Sequence, residues 1–353
     1  MSTATVLNQP AEMPAPVAKK KEFISYIHYF RGVAICFVVA PHVLLAWEAD
    51  SQLYKFFRVL WENGTVLFIF IAGYLFQHLS HRFEYKDYLK KKVEGVILPY
   101  FIVSIPIIIF RLYGNEYPNY ITDNHPTFLD WSMGKKLAYF IFTGAHMQQL
   151  WFIPMIVLYY LLAPVLLWID RHPKYYWLIL PLVAVSLAVY REPFNEIFRM
   201  FAHFMSVYMF GMFMSRYKNE YLEFAKKYWV AISILAVVTV AVNFYYYPAY
   251  NSPLNYLQKM SFCLFFIYWL WKLGNHIPKI LGSMAELSFG IYFIHYYFIL
   301  ILRKVAEKIW GAPAPGNLFY WLLSIFLCFA MCFLVLNTIR KLFPRHSKNL
   351  VGC

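Results

Sequence analysis

The sequence predicts an all-α integral membrane protein, a polytopic bundle of about ten transmembrane helices with both termini in the cytoplasm. Composition is the first observation behind this prediction: of the 353 residues, 61% are hydrophobic and 21% aromatic, whereas only 14% are charged. Such a profile is typical of helical membrane proteins and excludes an ordinary soluble enzyme. The net charge of +14 indicates cytoplasmic loops rich in Lys and Arg, and not nucleic acid binding.

The apolar runs, the second observation, set the expected number of spans. One of the runs, at 175–190, is short and is expected to tilt or to lie partly buried. A weaker run at 137–143 is too short to cross and predicts a re-entrant or interfacial helix. The ten expected spans are 24–47, 60–79, 95–113, 149–169, 175–190, 199–216, 228–247, 257–273, 283–303 and 318–341.

The distribution of basic residues sets the orientation. Lys19, Lys20 and Lys21 precede the first span, and alternate loops after it are rich in Lys and Arg. The loop at 248–256 has none, whereas 303–308 is an exception with three. Because basic loops stay in the cytoplasm, both termini are predicted there. We expect a disordered cytoplasmic tail at 1–22 without a cleavable signal peptide, a transmembrane domain at 23–342, and a second cytoplasmic tail at 343–353.

The first span carries two ionisable residues, Arg31 and His42. Eleven residues at ~100° each end about 20° past three full turns, so both lie on one face, roughly 16 Å apart. Pro41 removes a backbone donor, which predicts a kink beside His42. Arg31 can alternatively snorkel to a headgroup, and His42 can be a hydrogen-bonded interior histidine. The position of both residues on one helix face, beside a proline, favours a functional pair, because ionisable groups at membrane depth are costly.

Other polar residues are expected near the level of His42. Glu62 and Asn63 begin the second span, Trp151 lies at the start of the fourth, and His295 lies past the middle of the ninth. An imidazole beside a carboxylate is what a general base requires, so Glu62 is the expected partner of His42. The alternatives are a solvated loop carboxylate for Glu62 and an interior histidine for His295.

Three further assignments complete the candidate residues. His146 and His203 are expected at the rim of the site. The run that contains Lys91 and Lys92 is either a cytoplasmic anchor or a binding site for the phosphates of an anionic donor. The five cysteines are expected to be packing residues, with neither a disulfide framework nor a metal site.

Five segments, in order, resemble the motifs of the membrane acyltransferase-3 family. The first, YFRGVAICFVVAPH, has an arginine followed after ten residues by a histidine, as in the opening motif of that family. The resemblance covers about residues 24–341, and the ordered set is more specific than any one segment. The other four segments are GTVLFIFIAGYLF (64–76), KKKVEGVILPYF (90–101), LWFIPMIVLYYLLAPVL (150–166) and LSFGIYFIHYYF (287–298).

The resemblance implies an activity and its substrates. Within the family, the chain looks most similar to the intercellular adhesin protein C branch of polysaccharide O-acyltransferases. That implies a bacterial cytoplasmic-membrane enzyme that transfers an acetyl or succinyl group from acyl-CoA to a polysaccharide or glycan-lipid, with a polysaccharide synthase complex as a further partner. His42 matches the catalytic histidine and Arg31 its motif partner. Glu94 and Gly95 stand where many relatives have an arginine, so Lys91 or Lys92 is the expected substitute in donor binding.

The chemical roles stay open between alternatives. His42 is either a general base on the sugar hydroxyl or a nucleophile that takes the acyl group. Asn63 or Trp151 is expected to stabilise the oxyanion, and Tyr292 and His295 to contact substrate. The alternative functions are an exporter or flippase for the glycan and an inactive scaffold in a synthase complex. The absence of an evident internal repeat weighs against a transporter.

Overall fold

The computed structural model describes residues 23–43, 47, 51–191, 196–247, 249 and 251–353, so the predicted tail at 1–22 lies outside the described residues. Those ranges contain helices and turns without a β-strand. Short 3₁₀ helices and one π-helix, Val93–Ile97, connect some of them. The α-helices are α1 (Ser25–His42), α2 (Gln52–Trp61), α3 (Thr65–His78), α4 (Tyr85–Lys92), α5 (Leu98–Gly114), α6 (Asn119–Asn124), α7 (Met133–Thr143), α8 (Phe152–Leu161), α9 (Ala163–Arg171), α10 (Ile179–Ala188), α11 (Ile197–Arg216), α12 (Lys218–Tyr246), α13 (Asn251–Leu273), α14 (Lys279–Trp310), α15 (Leu318–Leu342) and α16 (Ser347–Val351).

Six of the described helices are long and apolar enough to cross a membrane, or seven if the bent pair α8 and α9 counts as one span. The bend between α8 and α9 is 55°. The expected spans at 24–47 and 257–273 fall on α1 and α13, which are outside the six and which carry the polar residues Arg31, His42 and Lys259. The run at 175–190 corresponds to a shorter apolar segment, Pro173–Ala188. A count of ten and the orientation of the termini stay predictions.

Several helices are interrupted inside the bundle. The first helix ends at His42, one residue after Pro41, and does not continue to Trp47 as the expected span did. The second expected span, which was to begin at residue 60, is a longer helix that starts at Gln52 and breaks at 62–64. Asn63 in this turn has a φ of 63°, a left-handed conformation that Asn adopts more readily than most residues. These breaks place non-helical backbone at the level of His42.

Helix α7 enters the bundle without crossing it. The hydroxyl of Tyr100, midway along the Tyr85–Gly114 span, donates to the carbonyl of Ile141 at 2.7 Å, near the end of α7. The chain turns at Gly144, whose φ of 68° suits glycine, and returns through α8. The predicted run at 137–143 therefore lies in a re-entrant helix, and the turn at 144–151 lies inside the bundle.

Two glycines allow α3 and α11 to pack with their backbones in close contact. A Cβ on Gly73 would overlap the carbonyl of Tyr208, and a Cβ on Gly211 would overlap the carbonyl of Phe70. Small residues at such crossings are the usual means of close packing between membrane helices. This contact holds the part of the bundle that supports the α2–α3 turn.

The C-terminal residues fold back onto the bundle. Residues 343–353, expected as a cytoplasmic tail, form a turn and α16, and the side chain of Val351 is buried. Gly352, at a φ of 81°, lies against the rings of Phe289 and Phe293 on α14. An apolar side chain and a close glycine contact explain why these few residues pack onto the bundle.

Lys259 on α13 holds the end of α2. Its side chain is fully buried, and its ammonium donates to the carbonyls of Val59 at 3.2 Å and Leu60 at 3.0 Å. The amide of Asn255 also donates to Val59, at 3.4 Å. Because α2 stops at Trp61, these carbonyls lie in its last turn and lack helical N–H donors. Backbone carbonyls are a common partner for a charged side chain at membrane depth.

We expect Lys259→Met to lower the melting temperature of the purified protein. The substitution leaves two buried carbonyls with one weak donor, a loss of about 1–3 kcal/mol. Lys259→Arg, which keeps the donors, should recover part of the loss. Lys272→Met is the matched control, because Lys272 lies on the same helix but is exposed. A Lys259→Met protein as stable as the Lys272→Met protein would contradict this role.

Candidate active site

A cavity of about 200 Å³ lies where the broken helices meet. Its wall is built from the end of α1, the α2–α3 turn, the start of α8, one face of α14, and Arg191 after α10. Five of the eleven residues that the sequence singled out line it: His42, Glu62, Asn63, Trp151 and Tyr292. The structure therefore brings together residues that are up to 250 positions apart in the chain.

His42 packs against a second histidine. The ring centroids of His42 and His295 are 5.6 Å apart, and the ring of Tyr296 meets His42 edge-on at 5.7 Å. Nδ1 of His295 lies 3.0 Å from the carbonyl of Ile291 and 2.9 Å from that of Tyr292, so Nδ1 carries the proton. Nε2 of His295 is buried, has no hydrogen-bond partner among the described residues, and is an acceptor. His295 thus lies behind His42 and is not part of the cavity wall.

Glu62 does not bond to His42 within the described residues, contrary to the expected acid–base pair. Its carboxylate accepts a hydrogen bond from Arg58 at 2.8 Å, one turn earlier in α2. The i, i+4 spacing of these two residues favours such a pair on a helix. Arg58 was missed because the expected span began after it.

Positive charge surrounds the cavity. Arg58 and Arg191 line it, and the guanidinium of Arg191 lies 5.7 Å from the ring centroid of Trp151. Helices α3 and α8 both begin at its wall, at Thr65 and Phe152. Because a helix N-terminus carries a partial positive charge, the two starts and Arg191 favour negative charge beside His42, whereas the charge of Arg58 is balanced by Glu62. This is the environment that an oxyanion needs.

Arg31 lies at a different cavity. This second cavity, of about 880 Å³, is lined by Arg31 and by other basic residues that include His28, Arg82 and Arg216. Arg31 donates to the hydroxyl of Ser288 on α14 at 3.0 Å, and the next residue of α14, Phe289, lines the His42 cavity. Arg31 and His42 both contact α14, so they lie on a common face of α1 as expected. They line two different cavities, however.

Lys91 and Lys92 are not among the residues that line the cavity of Arg31. Lys91 is exposed. The ammonium of Lys92 lies 4.8 Å from the ring centroid of Tyr160 and 5.3 Å from that of Tyr88. The basic cavity is therefore made by residues other than the lysine run that the sequence suggested.

His146 and His203 are fully buried, so the expectation that both lie at the rim is wrong. Nδ1 of His146 donates to the carbonyl of Phe140 at 3.0 Å, in the last turn of α7. Nδ1 of His203 donates to the carbonyl of Val189 at 2.7 Å, just after α10 ends. The carbonyl of Phe140 also accepts from the N–H of Gly144 at 2.8 Å, so His146 adds a further donor at the end of α7. These hydrogen bonds to backbone carbonyls satisfy the two buried imidazoles.

The comparison with known proteins agrees with this geometry. The model of the family described as an acyltransferase domain matches residues 24–337, which is nearly the whole chain. Neither a curated protein nor a solved structure matches the chain. The matched region contains Arg31, His42 and every residue of the cavity wall. The chain therefore belongs to the membrane acyltransferase-3 family, a family of membrane acyltransferases.

Proposed function

We propose that the protein is an integral membrane O-acyltransferase that moves an acetyl or succinyl group from cytoplasmic acyl-CoA to a hydroxyl of a surface glycan or exopolysaccharide. The observation that carries the proposal is the position of His42, in a small cavity whose wall includes two helix N-termini and Arg191. The intercellular adhesin protein C branch, the bacterial cytoplasmic membrane and association with a polysaccharide synthase complex belong to the same proposal.

The reaction uses His42 as the base. The imidazole takes the proton of the sugar hydroxyl, the oxygen attacks the thioester carbonyl, and a tetrahedral oxyanion forms. The C–S bond then breaks as the ester forms, and the CoA thiolate takes the proton from His42. In the covalent alternative, the imidazole attacks first and CoA leaves before the hydroxyl accepts the acyl group.

The oxyanion needs donors, and the cavity wall supplies candidates. Asn63 and Thr65, at the start of α3, line the cavity that holds His42, together with Arg58 and Arg191. Groups held in place by the fold stabilise such charge without reorganising during the reaction. The buried His295, with an unprotonated Nε2 beside the His42 ring, is the group that orients the base, in place of Glu62.

The donor is proposed to reach His42 from the cavity of Arg31. Acyl-CoA is anionic, and this cavity contains His28, Arg82 and Arg216 besides Arg31. The pantetheine arm would follow α14 from Ser288, which Arg31 contacts, to Phe289, which lines the His42 cavity. In this arrangement Arg31 binds the donor and His42 handles the acceptor. Lys91 remains a second candidate for the phosphates, because it is exposed.

An exporter for the glycan is the alternative function. It requires a path for the sugar through the bundle, and it requires no acyl donor. Purified wild-type protein that forms free CoA from acetyl-CoA when a glycan is present supports the transferase. Glycan transport without any CoA release supports the exporter.

We expect His42→Ala to reduce acetyl transfer to the glycan by about 10²–10⁴-fold, the usual contribution of a general base. His276→Ala is the matched control, since His276 is exposed in a short 3₁₀ helix away from both cavities. The measurement is the rate of CoA release by equal amounts of folded protein. A His42→Ala protein that keeps more than about a hundredth of the wild-type rate contradicts the assignment.

We expect Arg31→Ala to weaken CoA binding and His42→Ala to preserve it, as measured by calorimetric titration of purified protein. Arg31→Lys should bind with intermediate affinity, because the charge survives while the fork of the guanidinium is lost. Equal CoA affinity in the wild-type and Arg31→Ala proteins would exclude the proposed donor path and leave Arg31 as a structural partner of Ser288.

A further inference from the structure

We propose that Gln149 and Asn63 form a subsite that hydrogen-bonds to hydroxyl groups of the acceptor sugar and so determines which hydroxyl lies next to His42. The proposal rests on the proposed function and deepens it, because it assigns the acceptor end of the cavity to two side-chain amides. Gln149 was not among the residues that the sequence singled out.

Gln149 is held so that its amide oxygen remains unpaired. The residue is only 4% exposed and lines the cavity of His42. Its Nε2 donates to the thioether sulfur of Met147 at 2.9 Å, and its backbone carbonyl accepts from the Tyr292 hydroxyl at 2.6 Å. Its Oε1 is buried and has no hydrogen-bond partner within the described part of the chain. The donor end of the amide is therefore occupied and the acceptor end is available.

Asn63 presents a second acceptor on the wall of the same cavity. It is 6% exposed, and its Oδ1 is likewise buried without a partner in the described ranges. The turn at 62–64 fixes its backbone at a φ of 63°. Lys259 holds the helix that ends at this turn, so the amide is positioned by the fold and not by a flexible loop.

Two buried acceptors indicate a ligand that brings donors. An unpaired buried amide oxygen costs about 1–3 kcal/mol, which a donated hydrogen bond recovers. The thioester and acyl group of the donor offer no O–H or N–H at the reacting end, whereas a sugar offers several hydroxyl groups. Trp151 and Tyr292 on the same wall add aromatic surface for the apolar face of a ring. The chemistry of the wall therefore fits a neutral, polyhydroxylated acceptor.

The position of the two amides also bears on specificity. They share a cavity of about 200 Å³ with His42, so a sugar that bonds to both amides has little freedom to rotate. One hydroxyl is then presented to the imidazole. A site that hydrogen-bonds a substrate hydroxyl discriminates strongly against an analogue that lacks it, because the protein group is left unpaired.

The test compares acceptors that differ by one hydroxyl. Acetyl transfer from acetyl-CoA is measured with methyl β-D-glucopyranoside and its monodeoxy analogues, for the wild type, Gln149→Met and Asn63→Gly. Methionine keeps the length of Gln149 without the amide, and glycine tolerates the positive φ of residue 63. We expect the wild type to lose about 10-fold or more in kcat/KM with particular deoxy analogues. Each variant should lose the discrimination at one ring position and keep it at the others.

Gln258→Met is the matched control for the loss of a buried amide. Gln258 is fully buried on α13, its Oε1 accepts from Asn243 at 2.6 Å, and it does not line the cavity. We expect this variant to lose stability while it discriminates between the deoxy analogues as the wild type does.

The outcomes separate the two proposals. Suppose that the wild-type protein acetylates the glycosides, and that Gln149→Met discriminates between the deoxy analogues as the wild-type protein does. The subsite is then overturned, and the proposed transferase activity stands. A uniform fall in rate for every acceptor, with discrimination intact, also overturns the subsite. If the wild-type protein releases no CoA with any glycoside or with the glycan, the proposed function itself fails, and the subsite fails with it.

Discussion

The architecture depends on hydrogen bonds to the last carbonyls of helices that end inside an apolar bundle. A helix that ends in water can leave its last carbonyls to the solvent, whereas a helix that ends at membrane depth needs a donor from the protein. Here side chains of other segments supply the donors. The indole of Trp321 donates to Ala40 near the end of α1 at 3.1 Å, and Lys259 does the same for α2.

This constraint explains why the site lies where it does. Side chains from other segments donate hydrogen bonds to the ends of α1 and α2 and near the turn after α7. The starts of α3 and α8 then lie at one cavity with His42. The partial positive charge of those starts adds to the charge of Arg191. The same interruptions that cost hydrogen bonds thus create the electrostatic environment proposed for acyl transfer. Non-helical backbone at this depth is tolerated where it lines a cavity or is buried in protein.

The sequence was sufficient for the helical membrane class, for the family resemblance and for the common face of Arg31 and His42. These predictions depend on composition, ordered motifs and helical periodicity, which are local properties. The partner of Glu62 was misassigned because the expected second span began at residue 60, which left Arg58 outside the helix. The buried roles of His146, His203 and Lys259 depend on hydrogen bonds to particular backbone carbonyls near helix ends. Neither periodicity nor hydropathy reports where a helix from another part of the chain stops.

The central claim is that a cytoplasmic donor and an acceptor on the other face meet at His42. The most direct measurement uses proteoliposomes that contain a glycan acceptor only in the lumen, with radiolabelled acetyl-CoA added only outside. The account predicts labelled glycan in the lumen of vesicles that carry the wild-type protein, and none in vesicles that carry His42→Ala. Labelled glycan that forms only when donor and acceptor are on the same side of the membrane would contradict it.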